Sequence, residues 1–311
     1  MGESFSIWID YLERDFIDSK LPYYLEKGAS GITTNPAIFK SAFASSKAYG
    51  RQRTALKGKQ LYEAFAIADV QAACDKLLSI YDKTDGFVSL EVDPAYAHDA
   101  ASTIKEAKRL FKAINRENAM IKVPATEGGC AAIGELAKEG VPVNATLVFS
   151  AEQTANVLRA LKGAKQAAVI SVFVSRYDRA LDEHLPEELR AKTGIMNAAQ
   201  HYNLVRSADE KNVRVLFAST GVKNGALPPD YYVRSLVGNG VVCTVPPETF
   251  EAYLKGGGCK ESLPIDEREI ADFFGELAKR EIKMSGLHQR LLDEGLRQFE
   301  TAFADIIRAL S

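Results

Sequence analysis

The sequence predicts an α/β fold, a (β/α)8 TIM barrel with additional helices in its N-terminal half and at its C-terminus. Eight short runs rich in Val, Ile, Phe and Thr are typical of strands. Amphipathic stretches such as 100–115, 128–139 and 151–161 lie between them. Repeated strand-then-helix units favour a parallel sheet that closes into a barrel. A doubly wound open sheet is the structural alternative, but it usually has fewer strands.

The elements follow one another in the order that a barrel requires. The predicted strands are residues 6–10, 31–34, 86–93, 120–126, 142–149, 167–175, 213–220 and 241–246. A long helical region, 45–81, lies between the second and third strands, and helices 264–279 and 284–310 follow the last strand. The last helix has an apolar packing stripe formed by Leu291, Leu292, Phe299, Phe303, Ile306, Ile307 and Leu310. We expect a single barrel domain over 1–311, in which 259–311 forms helices that pack on the barrel.

Composition excludes several classes of function. The hydrophobic fraction of 46% supports a sizeable core, and a formal net charge of −2 gives no electrostatic case for nucleic acid or an anionic membrane. No apolar run is long enough to span a bilayer, and the first residues lack a signal-peptide pattern. The four cysteines have neither metal-ligand spacing nor disulfide density, which predicts reduced thiols in a cytoplasmic protein. Neither a dinucleotide fingerprint nor a nucleotide phosphate loop occurs.

Lys122 is the most informative single residue, because it lies inside the apolar run 120–126. Lysine is almost never fully buried unless it is paired or functional. Burial favours the neutral form of an amine, and neutral amines attack ketones to form Schiff bases. Carbonyl chemistry through a covalent imine is therefore one hypothesis. The alternative is a lysine at a strand end whose amine reaches solvent.

Alternation along the strands favours the first hypothesis. Successive side chains of a barrel strand point to the interior and to the helices in turn. The apolar sets expected under the helices are Ile7 and Ile9; Val88, Leu90 and Val92; Ile121, Val123 and Ala125; Val143, Ala145, Leu147 and Phe149; Ile170, Val172 and Val174; Leu216 and Ala218. The opposite sets are Asp10; Ser89, Glu91 and Asp93; Lys122; Asn144 and Thr146; Ser171, Phe173 and Ser175; Phe217 and Ser219. Polar groups near the C-terminal rim of six strands indicate an active site.

These groups suit a Schiff-base lyase or transferase. A lysine nucleophile needs acid–base partners that eject water and move protons, and Glu91 and Asp10 supply two carboxylates. The residues that can hold substrate hydroxyls or a water are Asn35, Asn144, Ser171 and Thr146. Arg176, Ser219 and Lys223 follow the sixth and seventh strands and are one place for a phosphate grip. Solvated surface is the alternative for the two cations.

Four segments carry the pattern of a known family: GITTNPAIF at 31–39, IKVPATEG at 121–128, VNATLVFS at 143–150 and ISVFVSR at 170–176. Together they resemble the transaldolase family. Their order matches the family, and the resemblance runs from about residue 6 to residue 249. The combination is highly specific, although each segment alone is weaker.

The resemblance implies a role for each matching residue. Lys122 would form the imine, Asp10 would exchange the proton at carbon–carbon cleavage, and Glu91 and Thr146 would hold the water that relays protons. The substrate-binding positions would be Thr33, Asn35, Ser89, Asn144, Ser171 and Phe173, and the phosphate-binding positions Arg176, Ser219 and Lys223.

The resemblance also implies the reaction. A dihydroxyacetone unit would pass from sedoheptulose 7-phosphate to glyceraldehyde 3-phosphate, as in the pentose phosphate pathway, giving erythrose 4-phosphate and fructose 6-phosphate. The family needs no metal or organic cofactor, because the imine is the electron sink. Its members act in carbohydrate metabolism in the cytoplasm, and a homodimer is common among them.

The chain departs from the family pattern at the phosphate grip. Ser175 stands where a glycine commonly precedes the arginine. The block ASTGVKN at 218–224 is longer than the segment in many relatives, which carry arginine there, and resembles the bacterial branch. The resemblance therefore supports a phosphate role for Arg176 more strongly than one for Lys223.

Two other functions fit part of the pattern. A fructose 6-phosphate aldolase of the same superfamily would release free dihydroxyacetone, but such proteins are shorter and usually carry glutamine and tyrosine where Glu91 and Phe173 stand here. A non-catalytic sugar-phosphate-binding barrel would need neither Lys122 nor Glu91.

Overall fold

The protein is a closed barrel of parallel strands that follow one another in chain order, which confirms the predicted fold. A computed structural model describes residues 5–50, 55–222, 225 and 227–311. The strands are β1 (Ser6–Ile9), β2 (Ala29–Thr33), β3 (Val88–Glu91), β4 (Ala119–Pro124), β5 (Val143–Val148), β6 (Ala168–Phe173), β7 (Val213–Ala218) and β8 (Val242–Val245). Each of them overlaps its predicted range, so the repeated strand-then-helix pattern correctly predicts all eight strands.

Helices cover the outside of the barrel and part of its mouth. They are α1 (Arg14–Ser19), α2 (Leu21–Glu26), α3 (Pro36–Ser45), α4 (Lys47–Gly50), α5 (Gly58–Leu77), α6 (Ala100–Ile114), α7 (Glu127–Glu139), α8 (Ala151–Ala160), α9 (Ser175–Leu181), α10 (Thr193–Ala208), α11 (Tyr231–Arg234), α12 (Pro247–Lys255), α13 (Glu267–Lys279) and α14 (Met284–Ala309). Among the described residues, every helix is too short or too polar to cross a lipid bilayer.

The helix α14 packs beside α3 and α5, although both of these helices are far from α14 in sequence. Tyr62 on α5 meets Phe303 on α14 edge-on, with ring centroids 5.1 Å apart. Lys40 on α3 forms a 2.6 Å ion pair with Asp305 on α14. The predicted packing stripe of the last helix is therefore used, and it carries α14 toward the C-terminal ends of the strands.

A bulge in β5 reverses the predicted direction of two side chains. Ala145 pairs with Ile170 of β6, but the next aligned pair is Val148 with Val172, so β5 holds one residue more than its neighbour. Leu147 sits in this interval with a φ of +55°. Leu147 and Phe149 therefore join the apolar cluster that contains Phe173, Leu216 and Ala218, and not the layer under the helices, where alternation placed them.

Alternation also failed in β7. Leu216 and Ala218 line the interior cleft, whereas Phe217 packs in the outer layer. Ser219 still reaches the cleft, because its φ of +57° turns the chain just past the end of β7. The predicted directions of the β7 side chains were therefore wrong, because a backbone turn, and not the alternation, directs Ser219 inward.

The N-terminal end of the barrel interior is filled by the indole of Trp8, which is fully buried. A methyl group at Gly31 would lie 2.5–2.6 Å from the atoms of that ring. We expect Gly31→Ala to lower the free energy of unfolding by about 1–3 kcal/mol through overpacking. Urea unfolding would measure this loss. Gly275→Ala on α13, where no atom lies within 4 Å of the new methyl group, should be neutral or stabilising. Equal stabilities for the two variants would contradict the close packing.

Candidate active site

Lys122 is buried within the barrel, with only 4% of its surface exposed. Its Nζ donates to the carbonyl oxygen of Thr34 at 3.0 Å and to the hydroxyl of Thr33 at 3.4 Å. This position excludes a strand-end lysine that reaches bulk solvent. The amine instead opens onto a cleft of about 130 Å³ near the C-terminal ends of the strands.

The cleft brings together most of the predicted site. Predicted residues that line it are Asp10, Thr33, Asn35, Lys122, Ser171, Phe173, Arg176 and Ser219. They come from β2, β4 and β6 and from the segments that follow β1, β2, β6 and β7. Parallel strands place their carboxyl ends at one rim, so residues distant in sequence converge there.

Ser89, Asn144 and Ser171 form a hydrogen-bonded row across three strands. Ser171 Oγ donates to Asn144 Oδ1 at 2.6 Å, and Asn144 Nδ2 donates to Ser89 Oγ at 3.1 Å. Asn144 pairs in register with Lys122. The row fixes the orientation of the Asn144 amide beside the lysine. It ends at Ser171, which lines the cleft.

Glu91 lies on β3, paired in register with Lys122. It is buried, and neither of its carboxyl oxygens has a hydrogen-bond partner among the described residues. Burial raises the pKa of Glu91 to about 8; the positive charge of Lys122 opposes this rise, and Asp10 adds to it. At neutral pH this group is therefore mostly a carboxylic acid that can give up a proton. It lines a small cavity beside the cleft with Tyr62.

Thr146 is fully buried two residues beyond Asn144 on β5, just before the bulge. Its hydroxyl also has no partner within the described part of the chain. A buried hydroxyl without a partner is costly unless a substrate or water contacts it. Thr146 and Glu91 thus share the property expected of groups that hold a reacting molecule.

Asn35 begins α3 and is held by that helix. Its Oδ1 accepts a 3.0 Å hydrogen bond from the backbone N–H of Ile38, and Pro36 occupies the first helical position. The carbonyl end of the Asn35 side chain is thus used by the helix cap. The amide Nδ2 remains for the cleft, where a substrate hydroxyl or carbonyl can accept from it.

Two of the three residues predicted to bind phosphate, Arg176 and Ser219, line the cleft. The guanidinium of Arg176 stacks 4.9 Å from the ring centroid of Phe173. Burial lowers the pKa of Arg176 to about 10, so the side chain stays charged at neutral pH. The hydroxyls of Ser175 and Ser219 lie 3.1 Å apart, so Ser175 contacts one of these predicted phosphate-binding residues. Lys223 lies outside the described residues.

Sequence reasoning missed several residues of the cleft. They are Leu216, Ala218, Thr220, Gly221, Thr244, Pro246 and Phe299. Thr244 lies between Val242 and Val245 on β8, and alternation applied to that strand was a signal that could have found it. Phe299 belongs to the α14 packing stripe, and nothing local distinguishes it from the other apolar residues there.

This geometry is that of a barrel enzyme with a buried lysine among acid, amide and hydroxyl groups. The chain belongs to the transaldolase/fructose-6-phosphate aldolase family, whose model matches residues 7–310. It is 41% identical to a transaldolase of Helicobacter pylori (strain HPAG1) over 98% of this chain and 99% of that one. It is 40% identical to a transaldolase of Campylobacter jejuni (serotype O:23/36, strain 81-176) over 99% of this chain and all of that one. The recognised resemblance is confirmed, and the protein is an enzyme of this family.

Proposed function

We propose that this protein is a transaldolase that moves a dihydroxyacetone unit from sedoheptulose 7-phosphate to glyceraldehyde 3-phosphate. The observation that carries the proposal is the buried amine of Lys122 in register with the buried carboxyl of Glu91. Full-length similarity to transaldolases supports the same reaction. We further propose that it acts on sugar phosphates in the cytoplasm, and as a homodimer, which light scattering would check.

The first half of the reaction forms the imine. The Lys122 amine attacks the ketone carbon, and the resulting carbinolamine loses its hydroxyl as water when Glu91 supplies a proton. Thr146 would hold that water beside Glu91. Thr33 and Asn35, together with Ser89, Asn144 and Ser171, would bind the dihydroxyacetone part.

The second half breaks and remakes a carbon–carbon bond. Asp10 takes the proton from the hydroxyl on the fourth carbon, the bond between the third and fourth carbons breaks, and its electron pair moves into the imine to give an enamine. The aldose phosphate leaves, and the enamine attacks the aldehyde of the acceptor. Asp10 then returns the proton to the new hydroxyl, and hydrolysis frees Lys122. Arg176, with Ser219 and Lys223, would bind the phosphate of both sugars.

Trapping of the intermediate tests the proposal. The protein would be incubated with fructose 6-phosphate, reduced with borohydride and mapped by mass spectrometry. A dihydroxyacetone-sized adduct on Lys122 is expected, because reduction fixes the imine left after cleavage. An assay with and without an acceptor aldehyde then separates transfer from release of free dihydroxyacetone. A folded protein with no adduct at Lys122 would favour a non-catalytic sugar-phosphate-binding barrel.

Phe173 offers a test of how transfer is favoured over release. The ring is buried at the cleft wall, in the same cleft as Lys122. We expect Phe173→Tyr to raise aldolase activity relative to transferase activity by about tenfold. One hydrogen bond made by the new hydroxyl near the reactive carbon is worth about 1.4 kcal/mol. Release of free dihydroxyacetone and transfer to the acceptor would be measured in parallel. Phe87→Tyr, at a buried ring outside the cleft, is the control. An unchanged ratio in Phe173→Tyr would count against this geometry.

A further inference from the structure

Gly295 lies in the middle of α14, at the point where this helix crosses the phosphate side of the cleft. It is buried, and Phe299, one turn later, lines the cleft itself. Glycine inside a helix costs about 1 kcal/mol relative to alanine. Helix propensity therefore does not explain this residue, and a packing reason is needed.

The packing reason is contact with two residues of the site. A methyl group at Gly295 would lie 2.8 Å from Leu147 Cδ2 and 3.2 Å from Arg176 Nη1. The first distance is shorter than real Cβ atoms essentially ever show, and the second is tighter than most such contacts, so both side chains would have to shift. Leu147 cannot easily turn away, because its side chain is fully buried within a close-packed apolar cluster.

Arg176 is confined by this helix on one side and by an aromatic ring on another. Its guanidinium stacks on Phe173 at 4.9 Å. Its Nη1, the atom nearest to Gly295, is buried and has no hydrogen-bond partner among the described residues. Arg176 also lines the cleft. A buried guanidinium donor without a partner, held in one position at a cleft wall, suits an anionic oxygen of a ligand.

We propose that Gly295 is a positioning residue for the substrate phosphate. The absence of a side chain lets α14 lie against Leu147 and Arg176, and this contact holds the guanidinium where it meets the phosphate. Gly295 thereby sets how strongly the enzyme favours phosphorylated over unphosphorylated sugars. The inference rests on the proposed function, in which Arg176 binds phosphate and Lys122 forms the imine.

The test compares Gly295→Ala with Gly286→Ala, a matched change on the same helix. Gly286 is exposed, and no atom lies within 4 Å of a methyl group there. Two readouts need phosphate recognition: KM for fructose 6-phosphate and inhibition by inorganic phosphate. A third does not: the rate at which borohydride traps the imine of dihydroxyacetone on Lys122. Arg176→Ala is the positive control for the first two.

In Gly295→Ala we expect KM and the inhibition constant of phosphate each to rise about tenfold, the value of one weakened charged hydrogen bond. The rate of trapping with dihydroxyacetone should change by less than about twofold. A displaced Arg176 loses its own contacts, and the effect does not extend to the separate imine site at Lys122. Gly286→Ala should match the wild type in all three. Unchanged phosphate readouts, or an equal loss in all three, would overturn the inference while the proposed function stood.

Two further outcomes are distinct from these. If Arg176→Ala leaves phosphate inhibition unchanged, the phosphate role of Arg176 falls, and the inference falls with it. If Gly295→Ala does not fold, as judged by circular dichroism, Leu147→Ala/Gly295→Ala replaces it and is compared with Leu147→Ala. The double variant removes the 2.8 Å contact and keeps the 3.2 Å contact to Arg176, so it should still weaken phosphate binding selectively.

Discussion

Replacing Lys122 by alanine should abolish imine trapping and lower kcat/KM for transfer on the order of 10⁴-fold or more, because the reaction then lacks its nucleophile. The fold should survive. The Lys122 amine makes hydrogen bonds to Thr33 and Thr34. When alanine truncates the side chain, water that fills the space can donate a hydrogen bond to the carbonyl oxygen of Thr34. Borohydride trapping, steady-state kinetics and circular dichroism measure the three outcomes.

The interpretation of that loss depends on two further variants. Lys122→Met keeps the length and volume of the side chain without the amine, so it should lose as much activity as the alanine variant. Lys165→Ala removes an exposed lysine and should keep wild-type trapping and turnover. Wild-type turnover in either Lys122 variant would refute imine chemistry at this residue.

Alternation predicted the centre of the site because its strands there are regular. Glu91, Lys122 and Asn144 occupy matching register positions on β3, β4 and β5, so one rule applied to each strand places all three in the interior. Ser171 on β6 follows the same rule and hydrogen-bonds to Asn144. A period-2 pattern carries this information locally, without knowledge of the rest of the chain.

The rule failed wherever the backbone left the regular strand conformation. Leu147 and Ser219 both have positive φ, and the residue types leucine and serine do not predict a positive φ. Asp93, assigned to the same interior set as Glu91, lies beyond the end of β3 and forms a 2.7 Å ion pair with Lys59. Such departures depend on neighbouring strands and helices, which alternation within one strand does not describe.

The helix α14 marks a different limit. Gly295 and Phe299 reach the site from a segment about 120 residues after Arg176 in the chain. Their contacts depend on how α14 packs against α3 and α5. The sequence indicated an amphipathic helix with an apolar stripe, but a stripe shows only that a face is covered. Which residues it meets is a property of the assembled fold.

Replacing Glu91 by glutamine should separate catalysis from stability, since burial of this carboxyl favours its uncharged form. Glutamine has a similar shape but cannot supply a proton, so we expect kcat for transfer to fall on the order of 10²–10³-fold. Some substrate binding should remain, because the hydrogen-bonded row of Ser89, Asn144 and Ser171 is untouched. Steady-state kinetics would measure kcat and KM separately.

The same change should stabilise the fold at neutral and alkaline pH. The folded-state pKa of Glu91 is about 8 and its ordinary value is 4.5, so the folded protein holds a proton that the unfolded chain releases. The resulting penalty is absent below pH 4.5, grows as pH rises to about 8 and is constant above it. Glu91→Gln should therefore match the wild type at pH 4 and exceed its free energy of unfolding by on the order of 4 kcal/mol at pH 8.

Urea unfolding at several pH values would check this dependence, with Glu152→Gln on the exposed face of α8 as the control. The control should show neither the stabilisation nor the loss of kcat. A Glu91 that is ionised in the folded protein would give the opposite trend, because its replacement would then remove a favourable interaction with Lys122 at neutral pH. Greater stability together with slower transfer would mean that the barrel keeps this buried acid, at a cost to its own stability, for the proton that imine formation requires.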